Sequence, residues 1–231
     1  MDFSLSEEQQ LLKDSVDRFV REEYELDKRR TLVASAEGYS EDNWAKMAEL
    51  GWLGASLPEE YGGYGGGAVE TMVVMEAFGR GLVVEPYFAS VVVGGNFLIH
   101  GGEEAVKQDL LPKLAEGKLK LAFAYAEKQA RYDLHDVEFK AEKSGDGYVL
   151  NGEKGVVFHA ASADKIIVSA RTSGGSRDEK GITVFLVDAG ADGLSSRDYP
   201  TVDGLRASEL TFSNVAAEAV LGDVDDGLSL M

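Results

Sequence analysis

The segment Lys118–Tyr125 (KLKLAFAY) decides the fold class, because the spacing of apolar residues changes there. From Leu119 to Tyr125 every second residue is large and apolar, which is the period of a half-buried β-strand. Upstream, apolar residues recur at helical spacing instead. The sequence therefore predicts an α+β protein, with an N-terminal all-α helical domain over 1–117 and a small antiparallel β-barrel or β-sandwich domain over 118–231.

Helical periodicity and helix-ending residues predict about five helices in the first half. They are one helix after a capping box at Ser6–Gln9, then Glu41–Leu50, Ala68–Gly79, Tyr87–His100 and Glu103–Leu111, the last ended by Pro112. The third helix is apolar on nearly all sides, so we expect it to be buried. Its Glu76 stands four residues before Arg80, a spacing that favours an ion pair.

Short alternating segments with Gly-rich turns predict the strands of the second half. They are centred on 119–125, 137–141, 148–150, 165–170, 182–187 and 210–212. The pair Asn151-Gly152 is the strongest hairpin signal, since both turn positions of the favoured two-residue loop need positive φ.

Composition excludes several classes of function. Lys and Arg number 23 against 41 Asp and Glu, a net charge of −18 that disfavours nucleic acid and anionic membranes. The absence of Cys excludes disulfides and thiolate zinc sites, and no two His stand at metal-ligand spacing. No apolar run reaches 18 residues and no leader pattern follows Met1, so the expectation is a cytoplasmic protein without a bound metal.

Several motifs, in a fixed order along the whole chain, resemble the acyl-CoA dehydrogenase family. They are Met1–Glu8 (MDFSLSEE), Glu49–Gly67, Glu76–Arg80, Leu111–Gly117 and Lys140–Lys154 (KAEKSGDGYVLNGEK). The resemblance covers the first two of the family's three domains. Within the family, Ala130–Val137 (ARYDLHDV) most resembles the small subunit of a pimeloyl-CoA dehydrogenase.

This resemblance implies an FAD-dependent enzyme that desaturates an acyl-CoA thioester. In the family a carboxylate removes the α-proton while the flavin accepts the β-hydride. That carboxylate belongs to the third, C-terminal domain, so no catalytic residue is assigned in this chain. The implied partners are an acyl-CoA substrate, an electron-transfer flavoprotein or similar acceptor, and further copies or other subunits in an oligomer.

The flavin motifs of the family occur here in altered form. The family commonly has Thr-Glu-Pro where this chain has Ala126–Lys128, and Gly-Ser-Asp where it has Arg131–Asp133. Farther on, the family commonly has Trp-Ile-Thr-Asn where this chain has Val156–His159. Ala126 thus offers only a backbone amide, whereas the Arg131 guanidinium suits a phosphate. The resemblance implies these FAD contacts: Tyr125, Ala126, Arg131, Tyr132, Val156, Val157 and Phe158.

Other interpretations stay open. The lost Thr, Ser and Trp favour a non-catalytic binding or scaffolding subunit of a heteromeric dehydrogenase, and a flavin oxidase or monooxygenase of the same fold is a third hypothesis. Single His residues such as His135 and His159 are more often structural than catalytic. Alternating aromatics such as Phe123, Tyr125 and Phe158 more often fill a barrel core than line a cofactor.

Overall fold

The computed structural model describes residues 4–231, so Met1–Phe3 of the first motif lie outside the described residues. Within that range the first half is helical, as predicted. Its six α-helices are α1 (Glu7–Glu23), α2 (Leu26–Ala34), α3 (Glu41–Glu49), α4 (Ala68–Gly81), α5 (Gly95–Gly101) and α6 (Glu104–Ala115). A π-helical segment, Phe88–Gly94, leads directly into α5.

The ends of these helices confirm some predictions and correct others. The capping box opens α1, where the Gln9 amide donates to Ser6 Oγ at 3.2 Å and the Ser6 amide donates to Gln9 Oε1 at 2.9 Å. Pro112, however, does not end α6. The helix continues to Ala115, because the buried Leu114 holds its last turn in the core and Pro112 O accepts from the Glu116 amide.

The second half forms one twisted sheet of eight strands within the described range. The strands are β1 (Leu121–Ala124), β2 (Lys140–Ser144), β3 (Gly147–Phe158), β4 (Lys165–Arg171), β5 (Ile182–Asp188), β6 (Leu194–Pro200), β7 (Arg206–Ala216) and β8 (Ala219–Leu221). Their order is β6-β7-β3-β2-β4-β5-β8, with β1 beside β4. Because β1 runs parallel to β4, the sheet is mixed and not purely antiparallel as expected.

The predicted hairpin at Asn151-Gly152 is wrong. Both residues lie inside β3. The chain turns at Gly145-Asp146, between β2 and β3, where the segment Gly145–Gly147 correctly predicts a turn. β3 is paired on both sides, and its pairing with β7 shifts register between Leu150 and Gly152. The Asn151 side chain accepts from the Asn214 amide at 2.8 Å, so the pair serves a bulge rather than a turn.

Two apolar clusters hold the molecule together. One joins the helices to a face of the sheet and includes Trp44, Trp52, Leu98 and Ile167; the other fills the interior of the sheet domain. Burial of apolar surface is the main stabilising term in such clusters. Among residues 4–231, no helix has both the length and the hydropathy needed to cross a membrane.

Candidate functional site

A one-residue bulge in β3 shapes the candidate site. Between Lys154 and Val157, β3 advances three residues while its partner β7 advances two. The extra residue keeps Lys154 and Val157 both buried, although an odd spacing would otherwise place them on opposite faces. Val156, at φ 51°, and Phe158 therefore both face outward, with 47% and 42% of their surface exposed.

The end of β1 lies beside this bulge. Ala126 O accepts a hydrogen bond from the Gly155 amide at 2.9 Å, which brings Ala126 next to Val156. The Tyr125 ring stacks on Phe123, with centroids 5.2 Å apart, and remains 41% exposed. Tyr125 and Phe158 are therefore surface aromatics, and the expectation that they fill the barrel core is wrong; Phe123 is half-buried.

A buried ion pair lies next to the end of β1 and is hydrogen-bonded to it. Lys154 Nζ lies 2.7 Å from Glu127 Oε1, and also donates to Tyr125 O and Ser169 Oγ, each at 3.2 Å. The Lys154 side chain is fully buried and that of Glu127 is 5% exposed. Burial lowers the pKa of Lys154, and the neighbouring carboxylate opposes that effect.

The second oxygen of Glu127 organises the loop that follows. Glu127 Oε2 accepts from the amides of Glu138 and Phe139, at 2.9 and 3.1 Å, and from the Gln129 side chain at 2.9 Å. One carboxylate thus fixes both ends of the segment 127–139. Since charge-assisted hydrogen bonds are the stronger kind, this segment has a rigid base.

Arg131 and Tyr132 lie at the exposed tip of that segment. Tyr132 is 99% exposed, and Arg131 has φ 55° and forms no ion pair within the described residues. Among the described residues, no ion pair or ring contact joins either side chain to Ala126 or Val156. Of the residues implied to bind FAD, the structure brings Tyr125, Ala126, Val156 and Phe158 to neighbouring strand ends and buries Val157. Arg131 and Tyr132 line neither of the two clefts described below.

Two clefts open on either side of the bulge. The first, which we call the strand cleft, has a volume of about 670 Å³. Ala126 and Val156 line it together with polar side chains of β6 and β7, among them Ser196, Arg197 and Thr211. Its volume is within the range of small-molecule sites.

The second, the interdomain cleft, has a volume of about 400 Å³ and lies between helices and sheet. Its wall is mainly apolar and includes Phe78 of α4, Leu82, Phe88 and, from the end of β3, Phe158. Leu82 and Phe88 are 56% and 58% exposed. Apolar surface of this extent beside a cleft is typical of a ligand or protein contact.

Three titratable side chains line the interdomain cleft away from bulk water. Glu85 Oε1 accepts from the Ser40 amide at 3.3 Å and from the Asn43 side chain at 3.2 Å. Its Oε2 and the Tyr87 hydroxyl are buried without a hydrogen-bond partner in the described chain. Burial raises the pKa of Glu85 to about 7 and lowers that of His159 to about 4, so His159 is neutral at physiological pH.

Sequence reasoning missed the residues that hold the site from within. Lys154 was placed in a motif but given no role, although a Lys at an inward-facing strand position is a recognisable sign of a buried pair. The sequence predicts that Tyr87 begins a helix after Pro86, and it gives no sign of a role for Glu85. Their burial depends on contacts far along the chain, because Glu85 accepts from Ser40 and Asn43 at the start of α3 and the Tyr87 ring packs on Phe78 of α4.

Comparison with known families assigns the chain to a class. Residues 6–118 match the acyl-CoA dehydrogenase N-terminal domain, and residues 122–215 match the acyl-CoA dehydrogenase middle domain. The chain belongs to the acyl-CoA dehydrogenase family, which confirms the resemblance drawn from its motifs.

Individual relatives give the same result. The chain is 35% identical over 236 residues to the mitochondrial isovaleryl-CoA dehydrogenase of Pongo abelii, covering 98% of this chain and 56% of that protein. It is 33% identical to the probable acyl-CoA dehydrogenase YngJ of Bacillus subtilis (strain 168), covering 98% and 61%. The chain thus spans less than two thirds of the length of these relatives. The narrower resemblance to a pimeloyl-CoA dehydrogenase small subunit stays a prediction.

Solved structures share the fold. The glutaryl-coenzyme A dehydrogenase glutaryl-CoA complex matches with TM-score 0.90 at 29% identity, covering all of this chain and 60% of that one. The FAD complex of PigA matches with TM-score 0.87 at 26% identity, covering 100% and 62%. The ChsE4-ChsE5 complex from Mycobacterium tuberculosis matches with TM-score 0.86 at 25% identity, covering 100% and 60%.

Proposed function

We propose that this chain supplies the FAD-binding and acyl-binding surfaces of an acyl-CoA dehydrogenase. The observation that carries the proposal is the group of Tyr125, Val156 and Phe158, three exposed apolar side chains around the Ala126 backbone, between two clefts. A flat ring system fits such a surface better than a charged ligand does.

The residues present fit a flavin ring. The Ala126 amide donates to no acceptor within residues 4–231, so it is free to meet a ring carbonyl. The exposed faces of Tyr125, Val156 and Phe158 would contact the ring, and Arg197 in the strand cleft would meet an anionic group. When bound, FAD supplies the acceptor for a hydride.

The acyl group of the substrate would occupy the interdomain cleft. Phe78, Leu82 and Phe88 would exclude water from it, and Phe158 lies at its boundary with the proposed flavin surface. A thioester held there would have its reacting carbons beside the flavin, in a site from which bulk water is excluded.

No catalytic base is assigned to this chain. Glu127 is committed to Lys154 and two backbone amides, and Glu85 is buried against α3. We infer that the base comes from a part of the enzyme beyond these two regions, since the relatives are longer than the chain.

The test is an absorption spectrum of the purified chain after incubation with FAD and desalting. Flavin bands that survive desalting, at close to one FAD per chain, support the proposal. Val156→Asp places a carboxylate in the proposed ring surface and is expected to abolish retention, whereas Val202→Asp, on an exposed loop, is the matched control. Equal retention in both variants contradicts the assignment of the surface.

A second candidate is a non-catalytic subunit of a heteromeric dehydrogenase. It is favoured by Ala126, Val156 and Phe158, which lack the hydroxyl and indole groups common at these positions in the family. A structural neighbour that is itself a two-component complex, ChsE4-ChsE5, agrees with such an arrangement. If a catalytic partner is fully active without this chain, the chain is required neither as part of the catalytic dehydrogenase nor as a non-catalytic subunit, and both candidates are contradicted.

A further inference from the structure

Both peptide groups that flank Ala126 are fixed through their carbonyl oxygens. Ala126 O accepts from the Gly155 amide at 2.9 Å, and Tyr125 O accepts from Lys154 Nζ at 3.2 Å. The Ala126 N–H belongs to the same peptide group as Tyr125 O, and no peptide bond between described residues is cis. In a trans peptide group the carbonyl and the N–H point in opposite directions. Because Tyr125 O points towards the Lys154 ammonium, the Ala126 N–H points away from it.

This N–H is available to a ligand. Ala126 is partly exposed and lines the strand cleft, whereas the Lys154 side chain is fully buried. The Ala126 amide donates to no acceptor within residues 4–231. The direction of a free donor in the cleft wall is therefore set from the interior, by a side chain that is itself closed to solvent.

The same contact polarises the peptide group. A cation that donates to a carbonyl draws electron density towards the oxygen, and linked hydrogen bonds strengthen one another in a low-dielectric interior. Burial lowers the pKa of Lys154 to about 8, with the Glu127 carboxylate opposing that effect, so the ammonium is charged at pH 7. The Ala126 N–H is therefore a stronger donor than a peptide N–H whose carbonyl accepts from a neutral group.

A stronger donor has its largest effect where negative charge develops. When the flavin ring accepts a hydride from the substrate, it gains two electrons and one proton, so it carries one more negative charge than the oxidised ring. A preorganised donor stabilises the form with the greater negative charge more strongly. The difference in binding free energy between the two forms shifts the reduction potential of the bound cofactor.

We propose that Lys154 is a positioning residue for the flavin, which holds and polarises the Tyr125–Ala126 peptide group so that the Ala126 amide binds the reduced ring more tightly than the oxidised ring. This inference rests on the function proposed above, since it assumes that FAD meets the Ala126 amide. Lys154 acts through the peptide group and does not itself contact the ring.

The test compares the Kd of oxidised FAD with that of dithionite-reduced FAD for the purified chain, measured anaerobically at pH 7. In the Lys154→Met/Glu127→Leu double variant, the ratio of the oxidised to the reduced Kd is expected to fall about tenfold, the effect of one hydrogen bond. For a two-electron couple a tenfold change equals about 30 mV, by which the bound FAD becomes harder to reduce. Both charges are removed together because an unpaired Glu127 carboxylate would itself disfavour the reduced ring.

Ser169→Ala is the matched control. It removes another acceptor of Lys154 Nζ, also at 3.2 Å, and leaves the bond to Tyr125 O in place. Its ratio of the two Kd values is expected to equal that of the wild type. If the double variant fails to fold, the wild-type chain decides, because it is expected to bind reduced FAD more tightly than oxidised FAD, and the reverse order contradicts the proposal.

The outcomes separate this proposal from the proposed function. Three results overturn the role of Lys154 while FAD binding by the wild type still stands: an unchanged ratio in the double variant, equal weakening of both forms up to complete loss of binding, or a fall of the same size in Ser169→Ala. Equal weakening would show that the buried pair only maintains the fold. Failure of the wild-type chain to bind either form of FAD overturns both the role of Lys154 and the FAD-binding part of the proposed function.

Discussion

Lys154 Nζ lies 2.7 Å from Glu127 Oε1 in the interior of the sheet domain, and the pair joins the end of β1 to the bulge in β3. Lys154 also donates to the backbone carbonyl of Tyr125, whose ring is exposed. The surface proposed to hold the flavin is therefore supported by two buried charges. Removing one charge leaves the other buried and unpaired.

Lys154→Met is expected to lower the free energy of unfolding by about 4 kcal/mol, because an unpaired buried carboxylate is strongly unfavourable. Urea denaturation measures the effect. Adding Glu127→Leu should recover much of the loss, since an apolar pair replaces the ionic one. Lys46→Met, which breaks the exposed pair with Glu49, is the control and should change stability by less than about 1 kcal/mol. A smaller loss for Lys154→Met than for the control contradicts this account.

The sequence predicted the elements that have a regular apolar period. The helix around Trp44 follows from such spacing. The helix around Val74 was expected to be buried on nearly all sides, which is wrong, because one face of it is buried while Met72, on the other, is 53% exposed. The i, i+4 spacing of Glu76 and Arg80 correctly predicted their ion pair, in which Glu76 Oε1 and Arg80 Nη2 lie 3.1 Å apart. In contrast, α2 was not predicted, because it has no buried residue and therefore no apolar period. β6 was missed for the same reason, since most of its residues are exposed.

The candidate site was predictable only in part. The position of Ala126 and Val156 in family motifs located the strand ends, but the bulge that turns Val156 outward depends on how β3 pairs with β7. The two-sided pairing of β3 also overrode the Asn151-Gly152 turn preference. Burial of Glu85 depends on contacts with α3, more than forty residues away, which local sequence does not encode.

Glu85→Gln should make the protein less sensitive to rising pH. Burial raises the pKa of Glu85 from 4.5 to about 7, so the folded state favours the protonated form. Wild-type stability is therefore full below pH 4.5 and is lost as pH rises through about 7. Relative to Glu85→Gln, the wild type should lose roughly 3 kcal/mol between pH 4.5 and 8. Parallel free-energy profiles of the two proteins in urea would contradict the raised pKa.

His159→Asn should have the opposite pH dependence. Burial lowers the pKa of His159 from 6.5 to about 4, so the folded state disfavours the protonated ring. Its stabilising contribution is present above pH 6.5 and is lost as pH falls towards 4. Relative to the variant, the wild type should lose roughly 3 kcal/mol over that interval. Asn is chosen because His159 has φ 58°, a conformation that Asn adopts readily. A constant difference between the two proteins from pH 7 to 4 would contradict the prediction.

Val156→Asn is expected to stabilise the fold and weaken FAD retention together. Val156 has φ 51°, and the left-handed region costs an ordinary residue about 1–2 kcal/mol, whereas Asn tolerates it. The variant should therefore gain about 1 kcal/mol in urea denaturation. Because the Val156 side chain is 47% exposed, little core packing is lost, but the proposed flavin surface loses an apolar contact. Val202→Asn, at an exposed loop position that does not itself have positive φ, should change neither property. A variant that gains stability and retains FAD as well as the wild type would show that the strained residue serves no ligand, and the conformation of the bulge would then need a purely structural explanation.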